Sequence, residues 1–452
     1  MKIADLKQVF FIGIGGIGMS ALARYFHHLN IRVAGYDKTE TALTKQLTQE
    51  GIQVFYDDSV ENIAFAFTRP VSEYAVIYTP AVPTDLALMT FFKKLGCHLY
   101  KRSEVLGFIS QSHYTLAVAG THGKTTTSTM IAHMLTDSGY GCAAFLGGIA
   151  ANYGSNVLFS SSNTLVVEAD EFDRSFLTLH PDIAIVTSTD ADHLDVYENA
   201  DGVVESFRLF INQVSSSGVR IVKQDLDLPA DIYYSITREA GVFATNIRIE
   251  NNTFYFDYHN GDEVITHIEL GIPGRHNVEN AVAAITAVRQ LGVGAACIKQ
   301  ALASFRGVKR RFEYIVNRPG CVYIDDYAHH PTELTACLTA VRELFQGEQI
   351  TCVFQPHLFS RTRDFAHDFA AALTLTDVLL LMDIYPAREE PLPGIDADWL
   401  LEKIAIPQKF RLSPSEILDY IRTEKPRVLL TVGAGNIDLL VEPIKEILSH
   451  VG

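Results

Sequence analysis

The chain has 452 residues, 48% of them hydrophobic and 20% charged, which excludes wholesale disorder and exceeds one ordinary core, so about three domains are expected. A formal net charge of −16 argues against nucleic acid or anionic membranes as partners, and an anionic small molecule would need a local basic patch such as "GVKRRF" (307–312) or "SRTRDF" (360–365). Cys97, Cys142, Cys297, Cys321, Cys337 and Cys352 form no C-x-x-C pair; with no signal-peptide pattern at the start and no apolar run of about 18 residues, they read as small buried hydrophobes of a cytoplasmic protein.

Strand-like and helix-like segments alternate nearly throughout, predicting an α/β protein with parallel sheets covered by helices. The first block opens on a buried strand, "VFFI", then a glycine loop, a helix carrying Ile17, Leu22, Phe26 and Leu29, and a second strand, "IRVAGYD". "YAVIYTP" (74–80) is a further strand, and the block fades near 101–110. The second block begins with strand "YTLAVAG" (114–120), a loop and a helix, "TTSTMIAHMLTDSG". Two more apolar runs, "NTLVVEAD" (163–170) and "PDIAIVTSTDADH" (181–193), end in acidic residues. The stretch 247–270 alternates differently around the turn "NGD" and predicts an inserted antiparallel hairpin, followed by a helix over 277–292. The third block holds strands "CVYIDDYA", "ITCVFQPH", "DVLLLMDIY" and "RVLLTVGAG". Boundaries near 111 and 306 give domains 1–110, 111–305 and 306–452.

Two loops carry the chemistry. Gly13, Gly15, Gly16 (with Ile17) and Gly18 fit G-x-G-x-x-G between a strand and a helix, with Asp37 further on, and such a loop lets a diphosphate approach the backbone N–H groups. The pattern specifies diphosphate and leaves the rest of the ligand open, so an NAD-dependent oxidoreductase is one alternative. In "AGTHGKTTTSTM" (119–130), Gly120 and Gly123 allow a tight anion-facing loop, Lys124 adds a charge, and the Thr125 hydroxyl suits a phosphate-bound magnesium ion. The usual spacing fails, because Val118 stands where a glycine is expected. Glu168, Asp190, Asp192 and His193 follow later strands, where ligands of open α/β sheets bind, and favour ATP with magnesium. Histidine alone is a poor partner for so hard an ion.

"AGTHGKTTT", "EADEFDRSF", "TDADHLD", "GRHNVENA", "DDYAHHPTE" and "FQPHLFSRTRDF", in this order across nearly the whole chain, resemble the Mur ligase family. The resemblance explains the shortened loop, which is the family's own form. It implies three domains: a Rossmann-like one for a UDP-sugar, a central P-loop ATPase-type one with a small antiparallel insertion, and a Rossmann-like one for the amino acid and for closure. It implies ATP-dependent joining of L-alanine to the lactyl carboxylate of UDP-N-acetylmuramate through an acyl phosphate, with two Mg2+ ions, replaceable by Mn2+. A monomer or weak homodimer is expected, and the rival within the family is the ligase that attaches a ready-made tripeptide to the same UDP-sugar.

By motif position the resemblance assigns Gly120, Thr121, His122, Gly123, Lys124, Thr125 and Thr126 to the ATP phosphates, and Asn277 and Asn280 to adenine, with His276 beside them. Arg311 and Asp326 join them as nucleotide residues. Thr125, Glu168 and His193 are the implied metal ligands. The front glycines, Ile17, Asp37 and Thr79 take the UDP-sugar; Tyr327, His330, His357 and Arg361 take the amino acid, and Lys124, His193, His329 and Arg361 are the catalytic set. Two departures stand out. Leu358 occupies a position where alanine-adding members often carry arginine, and no lysine lies between Leu194 and Val222, where members acting later in the pathway use a carbamylated one.

Overall fold

The computed structural model describes residues 3–64, 73–83, 85–190, 200–237, 241–387 and 389–449. Three mostly parallel sheets organise them. The first holds β1 (Gln8–Ile12), β2 (Arg32–Tyr36), β3 (Gln53–Phe55), β4 (Tyr74–Tyr78) and β5 (Leu99–Lys101) in the order β3-β2-β1-β4-β5, all parallel. Alternate side chains of β1 serve opposite faces: Val9 and Phe11 enter one apolar cluster, Phe10 and Ile12 another. That two-sided burial is why the sequence reads as an unbroken apolar run. β3 and β5 escape sequence reading because they are three residues long and partly exposed.

The second sheet comprises β6 (Tyr114–Ala119), β7 (Ala143–Ala150), β8 (Ser155–Leu158), β9 (Thr164–Glu168), β10 (Ile183–Val186), β11 (Val219–Lys223), β12 (Ile232–Ser235), β13 (Val242–Glu250), β14 (Thr253–Asn260) and β15 (Glu263–Leu270). Its order is β15-β14-β13-β12-β11-β10-β6-β9-β7-β8. β6 lies between β10 and β9, so the loop after it opens at a switch in strand order. The expected hairpin at 247–270 is a three-strand run, β13 to β15, that prolongs this sheet from β12. Asn251 and Asn252, at φ 50° and 61°, make a two-residue turn that only antiparallel neighbours accept.

The third sheet holds β16 (Glu313–Arg318), β17 (Cys321–Asp326), β18 (Ile350–Phe354), β19 (Val378–Leu381), β20 (Gln408–Arg411) and β21 (Val428–Val432), ordered β16-β17-β21-β18-β19-β20. Only the β16–β17 pair among them is antiparallel. β16 and β20, the edges, leave no apolar run in the sequence, because neither has a buried residue.

Contacts group the chain into two compact units: Met1–Phe243 with Tyr258–Ile265 and Asn280–Leu302, and Ala244–Asp257 with Thr266–Glu279 and Ala303–Gly452. Within the first unit, one apolar cluster runs from Phe11 and Phe26 to Ala117, Val167 and Phe207, so the first two sheets share a core. A buried polar seam fastens them. Arg24 grips Glu50 through Nε (2.7 Å) and Nη2 (2.9 Å) and donates from Nη1 to Asn156 Oδ1 (2.6 Å). The Asn156 amide in turn donates to the Ile17 carbonyl. Cys97, Cys142, Cys337 and Cys352 are buried as expected, whereas Cys321 is half-buried and Cys297 exposed. Among the described residues no helix is long and apolar enough to cross a membrane.

Candidate active site

In the first unit the front glycine loop caps β1 and leads into helix Ile17–His28. Gly13 has φ +87°, and a β-carbon there would lie 2.5 Å from Thr79 Cγ2, which brings Thr79 to the loop as expected. Asp37 also reaches it, but its Oδ2 accepts the Gly15 N–H at 2.7 Å, so this carboxylate closes one of the loop's own donors. Gly18 lies under the side chain of Arg102, a residue absent from the expected set; a β-carbon at Gly18 would sit 3.0 Å from Arg102 Cδ.

The second loop follows β6. Gly120, at φ +140°, packs so closely that a β-carbon would fall 2.1 Å from Thr187 Oγ1. Gly123, at φ +81°, is the left-handed N-cap of helix Lys124–Asp137, and its Cα faces Asn280, whose Oδ1 would lie 2.6 Å from a β-carbon there. Asn280 therefore belongs to the phosphate loop's wall, on helix Arg275–Gln290. Thr121 Oγ1 meets Ser188 Oγ at 2.9 Å and accepts the Asp190 N–H at 3.0 Å; the His122 N–H donates to Ser188 Oγ at 2.7 Å. Thr125 and Thr126 are buried in the first helical turn.

Lys124 Nζ donates to the Gly120 carbonyl (2.6 Å) and to Glu171 Oε1 (2.9 Å), with Oε2 at 2.7 Å. Burial alone would lower its pKa, but the charges of Glu171, Glu168 and Asp170 outweigh that and raise it, so the ammonium stays charged. Glu171 lies in the quoted "EADEFDRSF" block, yet only its 2% exposure and this pairing single it out. Glu168 ends β9, where its Oε2 accepts the Gly147 N–H at 3.0 Å. His193 and Asp192 lie outside the described residues.

The second unit gathers the remaining residues at the ends of β17 and β18. Asp326 accepts the Phe312 and Ala328 N–H groups at 2.7 Å each, and burial pushes its pKa up to about 6 against the pull of Arg311. Arg310 and Arg311 both face the Tyr327 ring, at 5.0 and 5.3 Å, and Arg311 Nη1 donates to Glu333 Oε1 at 3.3 Å. The His329 ring nitrogen Nδ1 donates to the Tyr327 carbonyl at 3.0 Å, which leaves Nε2 as the acceptor. Burial lowers the His329 pKa, Glu333 opposing. His329 and His357 rings meet edge to face at 5.9 Å, and Arg361 Nη1 lies 3.4 Å from His357 Nδ1.

His330 follows directly after His329. Its Nδ1 accepts the Thr332 N–H as N-cap of helix Pro331–Leu344, and its ring packs on Phe365. Asn277 donates from Nδ2 to the Pro273 carbonyl at 2.6 Å, and burial lowers the pKa of neighbouring His276 to about 4. Leu358 adopts φ 69°, ψ 136°, a conformation that strains a branched residue, and its N–H donates to the Tyr385 carbonyl.

A switch-point loop with a buried, charge-paired lysine, a front glycine loop between strand and helix, and a third α/β sheet together define a class. Residues 8–114 match the Mur ligase family, catalytic domain; 118–288 match the Mur ligase middle domain; 310–435 match the Mur ligase, glutamate ligase domain. The chain belongs to the Mur ligase family. Within it, the UDP-N-acetylmuramate–L-alanine ligase of Parabacteroides distasonis is 47% identical over 456 residues, spanning 99% of this chain and 98% of that protein. The crystal structure of the UDP-N-acetylmuramate–alanine ligase of Thermotoga maritima superposes with a TM-score of 0.85 at 27% identity, covering 98% of this chain and 100% of that one. A murein peptide ligase from Psychrobacter arcticus, 22% identical over 99% of each chain, gives a TM-score of 0.68 and shares the fold.

Proposed function

We propose that this chain joins L-alanine to the lactyl carboxylate of UDP-N-acetylmuramate, converting ATP to ADP and phosphate. The observation that carries the reading is identity of 47% to an alanine-adding relative along 99% of the chain. The better superposition on an alanine ligase than on a murein peptide ligase points away from the tripeptide rival. The same reading divides the chain into domains 1–110, 111–305 and 306–452.

A carboxylate resists an amine because its leaving group would be an oxide. Transfer of the γ-phosphoryl group to a carboxylate oxygen releases ADP and leaves an acyl phosphate. The alanine ammonium gives up one proton, its nitrogen attacks the carbonyl carbon through a tetrahedral oxyanion, the C–O bond to phosphate breaks, and the nitrogen gives up a second proton. Lys124, kept charged by its acidic neighbours, offsets charge on the β- and γ-phosphates. Neutral His329, with its Nε2 lone pair, is suited to receive the proton of the alanine ammonium. Tyr327, His330, His357 and Arg361 form the amino-acid site, and Arg311, Asp326, Asn277 and Asn280 serve the nucleotide.

Thr125 and Glu168 present hard oxygen donors, which fit magnesium. Bound there, the ion would neutralise phosphate charge during transfer. The test is ADP release with UDP-N-acetylmuramate, ATP and a panel of amines. L-alanine should support it; release with the L-alanyl-γ-D-glutamyl-meso-diaminopimelate tripeptide and none with alanine would transfer the chain to the recycling activity.

A further inference from the structure

The front loop poses an electrostatic problem. A diphosphate brings negative charge to a loop where Asp37 already occupies the Gly15 N–H at 2.7 Å. With one backbone donor taken by a carboxylate, a cation close to the loop would offset the added negative charge. Arg102, the first residue of helix Arg102–Ser110, supplies it. Its side chain lies across Gly18, the last glycine of the loop, with Nη1 3.1 Å and Nε 3.3 Å from the point a β-carbon there would occupy. Its side chain is 21% exposed, and its ion pair, Nη2 to Asp170 Oδ2, is long at 3.5 Å. A guanidinium carries five donors. This one is held over the loop with most of its fork unspent among the described residues.

We infer that Arg102 is a binding residue for the diphosphate of the sugar nucleotide, clamping it against the glycine loop. The inference rests on the proposed UDP-N-acetylmuramate reading and adds to it a side chain from outside the glycine fingerprint. Asp170 neighbours Glu171, the carboxylate that pairs with Lys124. Arg102 thus reaches from the sugar-nucleotide loop to the acidic segment beside the phosphate loop, all within one compact unit. Arginine suits the task better than lysine because its planar fork can bind two phosphate oxygens at once.

The experiment is calorimetric titration of the full-length wild type, Arg102→Met and Arg102→Lys with UDP-N-acetylmuramate, UDP-N-acetylglucosamine and a non-hydrolysable ATP analogue. UDP-N-acetylglucosamine has the diphosphate without the lactyl acid. Arg102→Met should weaken both sugar nucleotides at least ~10-fold, and equally, with Arg102→Lys intermediate. Unchanged affinity for the ATP analogue certifies the fold of each variant. Loss confined to UDP-N-acetylmuramate would assign the guanidinium to the lactyl carboxylate and overturn the diphosphate role, as would no loss for either. A wild type that binds no UDP-sugar would instead sink the proposed function itself.

Discussion

Lys124 is a cation enclosed by acids, and that enclosure decides its behaviour. Glu171 fixes the ammonium, and Glu168 and Asp170 keep it protonated despite burial. Lys124→Ala is expected to lower kcat by at least ~100-fold, about 2.7 kcal/mol of transition-state stabilisation, read by steady-state ADP release. His276 gives a second, independent test. Its folded pKa of about 4 lies below the ordinary histidine value of about 6.5, so the folded state binds protons less readily than the unfolded one. Stability is therefore intact above pH 6.5 and falls as the pH drops towards 4, by about 3 kcal/mol from this residue. Urea denaturation of His276→Gln at pH 7 and pH 4.5 should show a smaller acid loss than the wild type. The glycines, Lys124 and Thr125 were legible from sequence because strand–loop–helix chemistry is local. Glu171 was not, because only the folded path from β9 brings a carboxylate 47 positions away onto that lysine.

At the scale of elements, one strand end is held by a close contact with its neighbour. Glu168 closes β9, and neighbouring β7 supplies Gly147, whose N–H the carboxylate accepts. A β-carbon at Gly147 would fall 2.2 Å from that carboxylate oxygen. Gly147→Ala should push the carboxylate aside while leaving the fold intact, raising the magnesium concentration for half-maximal rate about tenfold, the scale of lost support to a metal ligand. A magnesium titration identical to that of the wild type would remove Glu168 from the proposed metal site. Buried parallel strands were readable as apolar runs, whereas β3, β5, β16 and β20 were not, since short or exposed edges leave no pattern. The central extension was only partly readable: the turn at Gly261 was evident, but the Asn251–Asn252 turn joins β14 to a strand that begins at Val242, five positions before the expected hairpin.

For the whole molecule, the division into two compact units predicts two unfolding transitions by calorimetry, outside simple two-state behaviour. The front loop and phosphate loop both lie in the first unit. UDP-N-acetylmuramate at 100 times its Kd should therefore stabilise one transition by about 2.7 kcal/mol and leave the other in place. A single transition that moves as one would contradict the division. Three domains were foreseeable from length and motif blocks. The sharing of one core by the first two sheets was not, because apolar residues announce burial without naming the partner that buries them.

The Arg24–Asn156 seam limits how this enzyme can be re-engineered. Arg24 and Glu50 come from one side of it and Asn156 from the other, with Asn156 wholly enclosed. Grafting a foreign first domain onto residues 115 onward would strand that amide without its carbonyl and its guanidinium neighbour. Exchange of specificity between relatives must transplant both banks of the join together, or begin by redesigning this handful of contacts.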